Sequence, residues 1–233
     1  MLTAHQTTNP WEIDEREFPI QGSQWDQLSF LIKYAALAPS SHNTQPWRFV
    51  IEGSSIVVFP DKSRWLTVAD PDQRELYISL GCAIENLLIA AEYFGFSHQI
   101  EYVAGMDDSG AAARIRMEPY GWPSAFRPLA YFHSIPVRRT NHNTYDGEPI
   151  PEQELEKLKS CCIDPDISLL IVTDMPTKRH IDELVIRSDA ALFANPAFRD
   201  ELGYWMGQGV YGSSWLMAKL SQISVTLVNP SGR

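Results

Sequence analysis

Leu76–Ala91 is the most apolar stretch of the chain, interrupted only by Glu85 and Asn86. Leu76, Leu80, Ala83, Leu87 and Ala91 recur at helical spacing, and Ile78, Cys82 and Ile89 fall on other faces. A helix apolar nearly all round must lie at the centre of a fold. Asp70-Pro71-Asp72-Gln73 predicts its start: an Asp cap, Pro at the first helical position and Gln where a capping box needs an amide. Gly95 supplies the stop after Phe94. The polar interruptions make this a buried core helix and not a membrane span.

The flanking sequence alternates helical and strand-like patterns. Ser23 with Asp26 predicts a capped helix carrying Trp25, Leu28, Ile32, Ala35 and Ala36, stopped by Pro39. A strand pair follows, Trp47 to Glu52 and Ile56 to Pro60, around a Gly53-Ser54-Ser55 turn. Two further strand-like runs are His98 to Val103 and Ala113 to Glu118. Pro119, Pro123, Pro128 and Pro136 mark a connector. Beyond it the pattern predicts a helix from Pro151 through Cys162, a strand from Ser168 to Thr173, and a helix with Ile181, Leu184, Val185 and Leu192 ending near Asn195-Pro196. This mixture implies an α+β or α/β chain. A faint repeat at an offset of 130 residues aligns Pro19-Ile20 with Pro149-Ile150, and Trp25, Leu28 and Ile32 with Leu155, Leu158 and Cys162. Two amphipathic helices alone can produce such agreement.

At 233 residues and 44% hydrophobic content there is enough apolar material for one large or two interlocked domains. The net charge of −10 repels phosphate backbones, which argues against a nucleic-acid binder. Three cysteines with no zinc spacing, and no cationic-then-apolar start over Met1 to Trp11, predict a reduced cytoplasmic protein.

Two segments could carry a site. The first is the polar loop Pro39-Ser40-Ser41-His42-Asn43-Thr44-Gln45-Pro46, pinned between prolines after an amphipathic helix. Its hydroxyls and amides can border a flat heteroaromatic ligand, or simply close the helix end. The second is Arg138-Arg139-Thr140-Asn141-His142, a basic cluster in an acidic chain. Guanidinium forks suit a phosphate or carboxylate; the alternative is a surface patch of ion pairs. Gly207-Gln208-Gly209-Val210-Tyr211-Gly212 matches GxGxxG by letter. The preceding Phe198, Leu202, Trp205 and Met206 have helical spacing, so no strand leads into it and a dinucleotide fold is rejected. No hydrolase, P-loop or metal motif is present, and no catalytic or metal-ligating residue is assigned. An enzyme of this kind would rely on an organic cofactor.

Ala36-Leu37-Ala38-Pro39-Ser40-Ser41-His42-Asn43-Thr44-Gln45-Pro46-Trp47 resembles the signature loop of the nitroreductase superfamily of FMN flavoproteins. Asp61-Lys62-Ser63-Arg64 through Asp70-Pro71-Asp72-Gln73-Arg74-Glu75-Leu76 to Gly81 is similar to its Acg-type subgroup, as are Arg138–His142 and Trp215–Leu220. The resemblance implies an α+β three-layer sandwich: an antiparallel-rich sheet, flanking helices, a central buried helix and two pseudo-repeated halves. These halves would be residues 1–130 and 131–233, the second incomplete where relatives continue beyond Arg233. It implies FMN with Pro39, Ser40, Ser41 and Asn43 along the ring, and Arg138, Arg139, Thr140 and His142 at the phosphate and ribityl end. His142 stands where the family usually has Arg or Lys. The implied activity is ping-pong transfer of hydride from NAD(P)H to a small-molecule electron acceptor, a nitroaromatic or quinone. The alternative is a flavin-storage protein with little turnover. The implied assembly is a pseudo-dimer within one chain or a homodimer, with no nucleic-acid or membrane partner.

Overall fold

A computed structural model describes residues 12–103, 110–119, 127–141, 143–162 and 165–207. The described residues divide into two compact units. One runs to Arg138 and resumes at Ala197; the other is Arg139–Pro196.

In the first unit, the Ser23–Asp26 pair forms the predicted reciprocal box at the start of α1, Gln24–Ala35. Ser23 Oγ accepts from the Asp26 amide at 3.2 Å, and the Ser23 amide donates to Asp26 Oδ2 at 2.9 Å. The Ser23 hydroxyl and amide together hold the Asp26 carboxyl below its ordinary value. Leu28, Leu31, Ile32 and Ala35 are fully buried, so the helical stripe faces the core.

Four strands make one antiparallel sheet in the order β1-β2-β4-β3: β1 Trp47–Glu52, β2 Ser55–Pro60, β3 Phe96–Tyr102 and β4 Ala113–Pro119. β1 and β2 pair from Trp47↔Pro60 to Glu52↔Ser55, with Gly53 at φ 60° in the tight turn. Alternate residues point inward: Trp47, Phe49 and Ile51 on β1, and Ala113, Ile115 and Met117 on β4. This is the α+β alternative, with α1 and α2 packed on the sheet.

The long helix α2 spans Arg74–Tyr93, later at its start than the Asp-Pro pattern predicts. Gln73 precedes it in a left-handed conformation at φ 63°, with no side-chain cap. Asp70 is nonetheless the acceptor that closes the first turn. From outside the helix its carboxylate reaches the amides of Glu75 and Leu76, both at 2.9 Å. Gly95 at φ 80° follows the helix as expected.

α2 is not buried all round. Leu76, Leu80, Ala83, Leu87 and Ala91 are in the core, but Tyr77 and Ile78 are 40% and 57% exposed, and Gly81 and Glu85 are also exposed. Its neighbours cover the core stripe and leave the opposite face exposed. By length and composition α2 could cross a bilayer, yet over half of its apolar window is buried within the unit.

Around the end of α2, aromatic rings interlock. Phe18 stacks on Phe94 at 4.2 Å, and Tyr93 stacks on Phe132 of the short helix α3, Leu129–Ser134, at 3.6 Å. Phe30 and Tyr34 meet the same group from α1. Burial raises the Tyr34 phenol well above its ordinary value, with the Glu15 carboxylate adding to the rise. At the edge of this cluster the buried Glu92 carboxylate accepts from His98 Nε2 at 2.8 Å and from Arg127.

The second unit contains α4, Glu152–Ser160, and α5, Met175–Ala194. Asp174 caps α5 by accepting from the Thr177 amide at 2.9 Å. Ser168–Thr173 forms no strand among the described residues, in contrast to the alternation-based expectation. Among the described residues no neighbouring strand pairs with it, and a lone strand has no hydrogen-bonding partner. Of this unit's apolar residues Leu155 is buried, while Ile181, Leu184 and Val185 are exposed. α6 spans Pro196–Gly207, as its helical spacing predicts. Residues 208–212 of the GxGxxG match, Trp215–Leu220 and the C-terminal residues lie outside the described residues.

Candidate functional site

After α1 the backbone of Pro39–Pro46 is held in an unusual form. His42, Asn43 and Gln45 have φ values of 49°, 54° and 50°, so three non-glycine residues within four positions are left-handed. Asn and His tolerate this region better than most residues; Gln does not. Each such residue costs on the order of 1 kcal/mol or more, so the surrounding structure must impose the shape.

The restraints are visible. Ser40 Oγ accepts from the Gln45 amide at 2.9 Å, and the Ser40 carbonyl accepts from the Asn43 amide at 2.9 Å. Gln45 Nε2 donates to Asn43 Oδ1 at 3.2 Å. Thr44 and Gln45 are buried, which leaves Pro39 and His42 exposed and Ser40, Ser41 and Asn43 half-buried. From the next segment, the Asp61 amide donates to the Pro46 carbonyl at 2.9 Å and Arg64 Nη1 donates to the Thr44 carbonyl at 2.9 Å. The loop therefore presents Ser41 and Asn43 on a rim whose backbone is fixed from both sides. Among the described residues the Ser41 hydroxyl and the Asn43 amide nitrogen have no hydrogen-bond partner.

The basic cluster is distributed differently. Arg138 ends the first unit, its amide bonded to the Ser134 carbonyl at 2.8 Å. Its guanidinium lies near Cys82 on α2: burial pushes the Cys82 thiol up, and Arg138 partly opposes that rise. Arg139 and Thr140 begin the second unit, where both are exposed. His142 lies outside the described residues.

Two residues that sequence reasoning did not assign a role matter to this geometry. Arg64 clamps the loop through Thr44; it stands in a segment already notable for its resemblance, but nothing in its spacing pointed at the Thr44 carbonyl. Glu201 on α6 accepts from the amides of Val68 and Ala69 in the turn that follows Arg64. No sequence signal distinguishes Glu201 from any other acid on an amphipathic helix.

No family model matches the chain. Among curated proteins, it is 28% identical over 78% of its length to "Putative NAD(P)H nitroreductase Rv3131" of Mycobacterium tuberculosis, covering 51% of that relative. It is 22% identical to "Putative NAD(P)H nitroreductase acg" of the same organism, over 78% of this chain and 54% of the relative. A third relative there, "Uncharacterized protein Rv3127", is 26% identical over 76% of this chain. The chain thus spans about half the length of the curated relatives it matches. Their names agree with the resemblance carried by the Pro39–Trp47 loop, and together they support assigning the chain to the nitroreductase superfamily, alongside Acg.

Proposed function

We propose that this chain contributes an FMN site to a cytoplasmic NAD(P)H oxidoreductase that reduces a small-molecule acceptor, a nitroaromatic or a quinone. The observation that carries the reading is the strained, doubly restrained rim Ser40–Gln45, on which, among the described residues, the Ser41 hydroxyl and the Asn43 side-chain nitrogen have no hydrogen-bond partner. Backbone strain maintained by burial and a guanidinium clamp is typical of sites that must hold a ligand without reorganising. The donor set suits the group: a hydroxyl and an amide match the polar edge of a flavin ring, and a guanidinium matches its phosphate.

Bound there, FMN would supply a two-electron hydride carrier. The chain's own contributions are binding and electrostatics. Pro39 and Ser40 would shape the rim; Ser41 and Asn43 would donate to the ring edge and stabilise negative charge there. As the resemblance implies, Arg138, Arg139, Thr140 and His142 would serve the phosphate and ribityl end, a basic run in an otherwise acidic chain. Ping-pong kinetics, with donor and acceptor using the same site in turn, belongs to the proposed reaction. No side chain is assigned a proton-transfer role. The two-half organisation, 1–130 and 131–233, belongs to the same proposal.

The test is titration of the purified full chain with FMN, followed by steady-state NAD(P)H oxidation with a nitroaromatic or quinone. The expected result is a bound-flavin spectrum, acceptor-dependent oxidation, and about tenfold weaker FMN binding in the Ser41→Ala/Asn43→Ala double variant, two hydrogen bonds being lost. Arg138→Ala with Thr140→Ala is expected to weaken binding as well. Unchanged affinity in both double variants would overturn the site; bound flavin without turnover would favour flavin storage.

A further inference from the structure

The turn Thr67–Ala69 gathers three donors onto one carboxylate. Glu201 of α6 accepts from the Ala69 amide at 2.9 Å, from the Val68 amide at 3.1 and 3.3 Å, and from Thr67 Oγ1 at 3.3 Å. Successive backbone amides aimed at one anion form a nest, and hydrogen bonds to a charged acceptor are the strong class.

The turn belongs to a continuous strap, Asp61–Leu76. At one end the strap holds the candidate loop, through the Asp61 amide on the Pro46 carbonyl and Arg64 on the Thr44 carbonyl. At the other it opens α2, where the Asp70 carboxylate meets the Glu75 and Leu76 amides. Trp65 Nε1 donates to the Asp70 carbonyl at 2.7 Å, and the Asp70 amide to the Leu66 carbonyl at 2.9 Å, so the strap is bonded internally across the turn. Glu201 is the point at which a distant helix, more than 130 residues away in sequence, fixes its middle.

We propose that Glu201 is a positioning residue for the 39–46 rim: its carboxylate locks the Thr67–Ala69 turn, which keeps Arg64 in register with Thr44 and so holds the left-handed loop in its ligand-ready form. The proposal rests on the reading of that loop as a flavin rim. Freeing the turn releases two adjacent amides to water and leaves Arg64 on a mobile support.

The experiment is a double-mutant cycle on FMN affinity in the full chain, with Glu201→Ala, Arg64→Ala and the pair. Glu201→Ala is expected to weaken FMN about fivefold, and Glu201→Gln, which keeps an acceptor oxygen, to lose less. Because both residues act on one strap, the double variant is expected to bind no more weakly than Arg64→Ala alone. Thr67→Val, which removes one donor and leaves the fold intact, is expected to give a smaller loss of the same kind. Ser23→Ala, which weakens α1 at its far end, is expected to lower thermal stability without changing FMN affinity, and so separates positioning from general destabilisation. Wild-type affinity in Glu201→Ala, or fully multiplicative effects in the pair, would overturn the latch. Should the wild-type chain itself bind no FMN, the flavin reading fails. The latch is then judged by amide hydrogen exchange over 39–46, where faster exchange in Glu201→Ala supports it and unchanged exchange overturns it.

Discussion

Single side chains here set opposite limits of pH stability. Asp14 is held down to about 2 by its hydrogen bond from Arg16, and Asp26 and Asp174 are lowered by the capping groups they accept from. A carboxyl lowered in the folded state stabilises the fold above its unfolded value and loses that contribution as pH falls toward the folded one. The Cys82 thiol and the Tyr34 and Tyr93 phenols are raised, by burial first in each case. Their neutral forms favour the fold below the unfolded values of 9.0 and 10.0, and that contribution is lost as pH rises beyond them. Thermal melts across pH are therefore expected to show a plateau falling below about pH 4 and above about pH 9. A melting temperature that keeps rising beyond pH 10 would contradict this assignment.

At the scale of elements, caps and turns carry much of the specification. Ser23→Ala removes the acceptor that opens α1 and is expected to cost about 1 kcal/mol in denaturant unfolding; a change near zero would show that packing alone sets this start. The features legible in the sequence are those with a local chemical cause. Ser23 and Asp26 form the box that their spacing predicts, Trp47–Glu52 pairs about Gly53, and Gly95 stops α2. The start of α2 falls later than the Asp-Pro pattern predicts because Asp70 caps from a loop position, a geometry that composition does not encode. Ser168–Thr173 reads as a strand by alternation, but pairing depends on a neighbour that the local pattern cannot supply. Likewise the loop's polarity was readable from Ser40, Ser41 and Asn43, whereas its three left-handed residues and the Arg64 clamp come from long-range contacts.

For the whole molecule, the two units differ in how much they bury. Sheet, α1 and α2 enclose a continuous core, while Arg139–Pro196 exposes Ile181, Leu184, Val185 and Lys-Arg sites of α5. Limited trypsin digestion is expected to cut first within Arg139–Pro196, at Lys178, Arg179 or Arg187, and to leave a resistant fragment containing Trp47–Pro119. Early cleavage at Arg48 or Arg114 would reverse that ranking. The sheet order β1-β2-β4-β3 draws its described strands from one run, Trp47 to Pro119, which contains α2 and follows α1. All four described strands are thus synthesised before Arg139, so the nascent chain can close its sheet on both helices while the later residues are still being translated. Glu201 emerges last of the groups that brace the rim, which makes the strap's final fastening a late event in the life of each new molecule.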